Sequence, residues 1–120
     1  MTKVGLEDAF QQVLRAALEA QWPGIERGTS YGTPALKVRG KLMARLKDAE
    51  TLVVRCPLED KEFLVGAEPE VFFETDHYRG WPLILVRLSR VDPARLRQRL
   101  EVAWRMQASK RLIASFDQGR

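Results

Sequence analysis

The sequence predicts an α+β fold, a two-layer sandwich in which helices cover one face of an antiparallel or mixed sheet. Three observations carry this prediction. Apolar residues recur at helical spacing near both ends of the chain, and they alternate with polar residues from residue 25 to residue 56. Residues 83–88 are apolar on both faces of a predicted strand, which is typical of the middle of a sheet. The predicted order is helix, three strands, helix, two strands, helix, or α-β(3)-α-β(2)-α.

The N-terminal segment is predicted to be a helix because its apolar residues form one stripe and its polar residues fill the opposite face. Pro23-Gly24 ends the pattern, since proline disfavours helical geometry in the residue before it. The stripe consists of Leu6, Phe10, Val13, Leu14, Ala17 and Leu18.

Residues 25–56 are predicted to form an antiparallel meander. Gly28, Gly32 and Pro34 interrupt its first part, which favours a bent or edge strand near residues 25–31. A tight turn at Arg39-Gly40 separates the strands that follow. The apolar residues of the alternation are expected to face the helices: Leu36, Val38, Leu42, Ala44, Leu46, Leu52 and Val54.

A short helix from residue 58 to residue 65 and two more strands are predicted to complete the sheet. Asp92-Pro93 then begins the closing helix, with Asp92 as N-cap and Pro93 at the first helical position. Its pattern continues to Phe116, in the same helix or in a last short one. No repeat or linker interrupts the 120 residues, so the whole chain, 1–120, is expected to be one domain.

Composition excludes several classes of protein. A chain with 45% apolar and 30% charged residues is not mostly disordered. No apolar run approaches the roughly 20 residues that span a bilayer, and the N-terminus lacks the pattern of a signal peptide. The single cysteine, Cys56, cannot form an intramolecular disulfide. A cytoplasmic domain with no membrane association is therefore expected.

Charge is unevenly distributed along the chain, whose net charge is +4. Residues 27–55 hold seven basic and two acidic residues, whereas residues 59–76 hold seven acidic residues and one basic residue and are expected to be a solvated acidic face. If the apolar strand residues face the helices, the opposite face of the sheet is basic, and it would attract an anionic partner. Basic residues on edge strands also keep a sheet soluble, and this interpretation stays open. The predicted basic face consists of Lys37, Arg39, Lys41, Arg45, Lys47 and Arg55.

No catalytic or metal-binding constellation is recognisable. One histidine, His77, and Cys56 cannot supply the three or four ligands of a metal site. Asp76 and His77 could form a base, but nothing in the spacing pairs them with a nucleophile. The glycine-rich segment 28–34 lacks the spacing and the lysine of a phosphate-binding loop. We therefore expect no enzymatic activity, no cofactor and no metal.

Two segments resemble the signatures of the MmcQ/YjbR family, and the resemblance covers nearly the whole chain. The first segment is residues 30–41, and the second is residues 77–81 with the strand that follows it. The resemblance implies a fold like that of secretion chaperones and a bacterial protein that binds DNA through a double-wing motif, with no catalytic residues. Besides Lys37 and Lys41, the signature residues are Tyr31, Gly32, Pro34, Gly40, His77, Tyr78, Gly80 and Trp81, whose aromatic members would form a platform, line a pocket or pack.

The function expected from these observations is binding of DNA or another polyanion by the predicted basic face. The hairpin at Arg39-Gly40 could enter a groove, where Arg39 would read a base edge.

Two alternatives use other features of the chain. One is a protein-interaction or chaperone-like module, with a homodimer or another protein as its partner, that would use the outer apolar residues Met43, Val53, Leu83 and Leu85. The other is a small-molecule pocket or an enzyme site around Tyr31, Lys37, His77 and Trp81.

Overall fold

The structure, a computed structural model, describes residues 5–119. The elements in chain order are α1 (Leu6–Ala20), β1 (Ile25–Ser30), β2 (Thr33–Val38), β3 (Lys41–Asp48), β4 (Thr51–Arg55), α2 (Leu58–Ala67), β5 (Phe72–Phe73), a 3₁₀ turn (Asp76–Tyr78), β6 (Leu83–Arg87), α3 (Pro93–Gln107) and α4 (Lys110–Gln118). All strand pairs are antiparallel, and the sheet order is β1-β2-β3-β4-β6-β5. The predicted α+β class is confirmed.

The element order differs from the prediction in the number of strands before α2, and at the C-terminal end it shows the last short helix, which was one of the two predicted possibilities. Four strands precede α2 instead of three, because the edge segment near residues 25–31 is a complete strand, β1. The closing helix ends at Gln107, and a separate helix, α4, begins at Lys110. Ser109 caps α4, since its side chain accepts a hydrogen bond from the backbone N–H of Leu112.

Two hairpin turns of the same kind join β1 to β2 and β2 to β3. The two residues of the first loop, Tyr31 and Gly32, have φ values of 53° and 78°, and those of the second, Arg39 and Gly40, have 49° and 85°. Positive φ at both positions defines the type I′ turn, whose twist matches that of antiparallel strands. Glycine at the second position of each loop adopts this geometry without strain.

The core lies between the sheet and the layer formed by α1 and α3. Phe10 and Val13 of α1 and Leu100 and Trp104 of α3 are fully buried against it. Asp92 caps α3 as predicted, because its side chain accepts a hydrogen bond of 2.8 Å from the N–H of Arg95. Among residues 5–119, none of the helices combines the length and the apolar composition that a membrane-spanning helix requires.

A β-bulge in β3 changes which residues face this core. Leu36 pairs with Ala44, but its neighbour Lys37 pairs with Leu42, so Met43 is an extra residue. Met43 and Ala44 therefore both lie in the core, and Leu42 shares the opposite face with Lys37. The prediction that Leu42 faces the helices is wrong, because one inserted residue shifts every earlier position of the strand to the other face.

Candidate functional site

The candidate site lies on the side of the sheet turned away from α1 and α3, which we call the outer face. Paired residues of neighbouring strands point to the same side, and the outer face therefore follows from the strand register. Its pairs are Lys37 with Leu42, Arg45 with Val53, Arg55 with Leu83, and Val53 with Leu85.

The segment from residue 76 to residue 81, which we call the covering loop, packs on part of this face. Tyr78 is buried there against Val53 and Leu85, in an apolar cluster separate from the main core. His77 contacts the Tyr78 ring edge-on, with 4.9 Å between the ring centroids, and is itself exposed. Tyr78 therefore holds the loop on the sheet, while His77 stays accessible to solvent.

Lys61 of α2 holds the covering loop from the other side. Its side chain is only 4% exposed, and its Nζ donates hydrogen bonds to the carbonyl oxygens of Tyr78 at 2.8 Å and Trp81 at 3.0 Å. The same Nζ lies 2.7 Å from Glu74 Oε1. Lys61 was not among the predicted site residues. Its position as the one basic residue of the acidic segment 59–76 was the sequence signal that it pairs with neighbouring acceptors.

Arg45 links the covering loop to the first hairpin turn. Its Nη2 donates a hydrogen bond of 2.7 Å to the Tyr78 hydroxyl, and its Nη1 donates one of 3.1 Å to the carbonyl oxygen of Leu46. The guanidinium carbon lies 5.0 Å from the centroid of the Tyr31 ring, which is cation–π distance. Arg45 thus places the Tyr31 ring beside the loop.

These contacts border a cavity of about 650 Å³ on the outer face. Tyr31 and Trp81 are 89% and 61% exposed at this cavity. Arg55 Nε is buried and has no hydrogen-bond partner among the described residues. The lining contains two arginines and a histidine and no acidic residue: Tyr31, Leu42, Arg45, Val53, Arg55, His77, Tyr78, Trp81 and Leu83.

The predicted basic face is wrong for two of its six residues, Arg39 and Lys41. Arg39 lies in the second hairpin turn, where its N–H donates to the carbonyl oxygen of Gly24 at 3.1 Å and its side chain lies beside that glycine. Lys41 pairs with the core residue Val38 and so falls on the helical side of the hairpin end. Both positions follow from the turn and the bulge, which a simple alternation does not include.

The other four basic residues are divided between the cavity and its surroundings. Arg45 and Arg55 line the cavity. Lys37 lies on the same face, outside the lining, next to Gly28 of β1. Lys47 is exposed in a second irregularity of β3, between Leu46 and Asp48.

Apart from Lys37 and Lys41, the eight signature residues fall into two groups. Tyr31, His77, Tyr78 and Trp81 line the cavity, whereas the other four shape the backbone around it. Gly80 has φ +80° in the covering loop, where a residue with a side chain would be strained. Gly32 and Gly40 occupy the hairpin turns, and Pro34 lies in β2 opposite Thr29.

The apolar patch expected for a protein-interaction module is not exposed. Met43 is buried in the main core, and Val53 and Leu85 are buried beneath the covering loop. Only Leu83 of this set is partly exposed, because the bulge turns Met43 into the core and the covering loop buries Val53 and Leu85.

The acidic segment is largely paired with basic residues rather than being a freely solvated face. Asp60 accepts a hydrogen bond of 3.1 Å from the buried Arg99 of α3, whose Nη2 also lies 3.3 Å from Cys56 Sγ. Burial raises the pKa of the Cys56 thiol. No cluster of three metal-ligating side chains exists among residues 5–119. The remaining pairs are Lys61–Glu74, Arg95–Glu68 and Arg79–Asp76.

Comparison with known proteins places this arrangement in a family context. The sequence model described as YjbR matches residues 20–106, which include the whole cavity lining. Uncharacterized proteins of Mycobacterium bovis and Mycobacterium tuberculosis are 42% identical over 53 residues, covering 44% of this chain. That match spans only 41% of the length of these relatives. No solved structure matches the chain.

Proposed function

This chain belongs to the YjbR family, and from that premise we propose that it binds nucleic acid on the outer face of its sheet. The observation that carries the proposal is the cavity lined by exposed aromatic rings and arginines without any acidic side chain. Aromatic rings stack on bases and arginines attract phosphates, so the two residue types together suit a nucleic acid better than a simple anion. On this proposal the protein binds and does not catalyse, and it acts in the cytoplasm.

Three basic residues are assigned to the phosphates: Lys37, Arg45 and Arg55. They lie on one face, on three adjacent strands. Arg39, given a base-reading role by the sequence analysis, lies in a turn beside Gly24 and has no part in this surface.

Salt-dependent binding tests the proposal. Fluorescence anisotropy with labelled oligonucleotides, from about 50 to about 200 mM salt, should give a log–log slope near −2 to −3 for three phosphate contacts. Replacing Lys37→Gln and Arg55→Gln together should flatten that slope by about 1.4 to 1.8.

The matched control removes the same two residue types from α4, as Lys110→Gln with Arg111→Gln. Both side chains are exposed there, and the net charge falls by the same amount. An unchanged slope in the outer-face variant, or an equal loss in the control, would contradict the proposed surface.

The predicted homodimer or protein partner stays a separate prediction. Sedimentation at the concentrations used for binding would show whether a second copy is present. A dimer whose formation blocks oligonucleotide binding would place its interface on the outer face and would favour the interaction module instead.

A further inference from the structure

The exposed rings at the cavity suggest which form of nucleic acid the outer face would take. Tyr31 and Trp81 are the two aromatic side chains of the cavity that remain largely accessible, at 89% and 61%. In a duplex, both faces of each base are stacked on neighbouring bases, so a protein ring can stack only on a base that is unpaired or displaced. Two accessible rings in one cavity therefore favour a single strand.

Arg55 adds a polar group that lacks a partner. Its Nε is buried in the structure without a hydrogen bond from any described residue, and its side chain lines the same cavity. Arg95 Nε and Arg99 Nε are buried and unpaired in the same way, so this feature is not specific to the cavity. The position of the Arg55 side chain in the cavity wall is specific, and it brings the guanidinium within reach of an acceptor supplied from outside. A base carbonyl or a phosphate oxygen would be such an acceptor.

Arg45 differs from Arg55, because two of its five N–H donors are already used. Its two terminal nitrogens bond to Tyr78 and Leu46, and its plane lies near the Tyr31 ring. Arg45 is therefore a positioning residue for Tyr31 as well as a source of positive charge. Stacked guanidinium and aromatic groups support each other at a binding surface.

The cavity is also held in shape before any ligand arrives. Lys61 fixes the carbonyl oxygens of Tyr78 and Trp81, and Tyr78 is buried against the sheet. A fixed loop lowers the conformational entropy that binding would otherwise cost. This preorganisation suits a compact, flat group such as one nucleobase.

We propose that the cavity on the outer face accepts an unpaired base of single-stranded nucleic acid, stacked on Trp81 beside Tyr31, with Arg55 as a hydrogen-bond donor to the same nucleotide. The inference rests on the proposed function and makes it more specific. The neighbouring Lys37 then lies where it can contact the backbone of the same strand.

The test compares four ligands that separate bases from phosphates. They are a labelled twelve-nucleotide thymidine strand, its duplex with the adenosine strand, an abasic strand of equal phosphate number, and thymidine monophosphate. A stacked base adds roughly 1–3 kcal/mol, so the thymidine strand should bind about 5- to 150-fold more tightly than the abasic one. A uridine strand of the same length shows which sugar is preferred.

Trp81 supplies a direct readout of stacking. The other two tryptophans, Trp22 and Trp104, are 4% and 0% exposed, so acrylamide quenching reports mainly on Trp81. The thymidine strand should protect Trp81 from acrylamide, and the abasic strand should not. Trp81→Phe should retain affinity within about threefold, whereas Trp81→Ala should lose at least about fivefold for the thymidine strand and nothing for the abasic one.

The outcomes distinguish the two proposals. Equal affinity for the thymidine strand, the duplex and the abasic strand would overturn the base site and leave the phosphate-binding surface intact. Absence of binding to every oligonucleotide at low salt would overturn both. Thymidine monophosphate binding as tightly as the strand would also overturn the inference, since the ligand would then be a free nucleotide.

Discussion

The two faces of the sheet are built on different principles. The inner face carries a continuous apolar core that the helices cover, chiefly α1 and α3, with Phe10 and Trp104 fully buried. The outer face has a small apolar cluster around Tyr78, which the covering loop only partly protects. Beside this cluster, the outer face holds a cavity with arginines and exposed rings.

This difference indicates that the inner face stabilises the fold, whereas the outer face carries the proposed binding surface. Apolar burial stabilises the fold from the inner side, at about 25 cal/mol for each Å² removed from water. On the outer side, polar contacts from Lys61 and Arg45 hold a loop in place while aromatic surface stays exposed. Substitutions on the two faces should therefore affect different measurements.

The largest expected effect comes from Leu100→Ala on the inner side. Leu100 is fully buried, and the cavity left by such a truncation costs about 2–5 kcal/mol in the free energy of unfolding. Trp81→Ala, on the outer face, should cost less than about 1 kcal/mol because that side chain is mostly exposed. Urea denaturation measures both, with Trp22 and Trp104 as fluorescent reporters. Equal losses in the free energy of unfolding would contradict the proposed difference between the two faces.

Lys61→Met is expected to have the next largest effect. It leaves two carbonyl oxygens and Glu74 without their donor, which should cost about 2 kcal/mol. Hydrogen exchange at the Trp81 amide, which bonds to the Tyr78 carbonyl at 3.1 Å, should accelerate as the covering loop loosens. Glu62→Gln, an exposed residue of the same helix, is the control and should change neither quantity. Unchanged exchange in Lys61→Met would show that Tyr78 alone holds the loop.

Two glycines should respond to alanine with opposite signs. Gly80→Ala forces a side chain into φ +80° and should destabilise the protein by about 1–2 kcal/mol. Gly66 lies near the end of α2 with open space around it, so Gly66→Ala should stabilise the protein by up to about 1 kcal/mol. Thermal unfolding compares them, and a gain from Gly80→Ala would contradict the geometry of the covering loop.

The smallest effect is expected from Glu7→Gln, in a surface pair with Arg27. The hydrogen bond from Arg27 lowers the pKa of Glu7 below its usual value of 4.5. A lowered folded-state pKa contributes stability above the unfolded value, and this stability is lost as the pH falls through the folded pKa. The wild type should therefore be slightly more stable than Glu7→Gln at about pH 6, and the difference should shrink as the pH falls below the usual pKa of 4.5. A difference that persists in acid would contradict this ionic origin.

The helices and strands could be predicted because their signals are local. The apolar stripe of α1 and the Asp92 cap of α3 depend on residues within one or two turns of each other. The alternation also indicated that Arg45 and Arg55 face away from the helices, and the structure agrees. The covering loop contains the recognised run His77-Tyr78, yet nothing local indicated that Tyr78 is buried and His77 is exposed.

Most misassigned residues follow from a β-bulge that has no clear local signal, whereas Arg39 lies in a turn that was predicted but that removes its residues from the strand alternation. One extra residue at Met43 moved Leu42 to the outer face, and the turn at Arg39-Gly40 removed Arg39 from it. A strand with a bulge has the same kinds of residues and nearly the same apolar–polar alternation as a regular strand, so the sequence pattern does not distinguish the two. Lys61 was missed for a related reason, because its partners lie 17 and 20 residues away.

The sequence by itself determined the secondary structure, the charge pattern and the supply of aromatic and basic side chains, since each depends on neighbouring residues. Only the tertiary structure decided which of those side chains meet. Tyr31 and Trp81 are 50 residues apart in the chain and line one cavity because strand pairing and the hold of Lys61 bring two loops to the same face. Long-range contacts of this kind arise from packing the whole chain, and local pattern does not contain them.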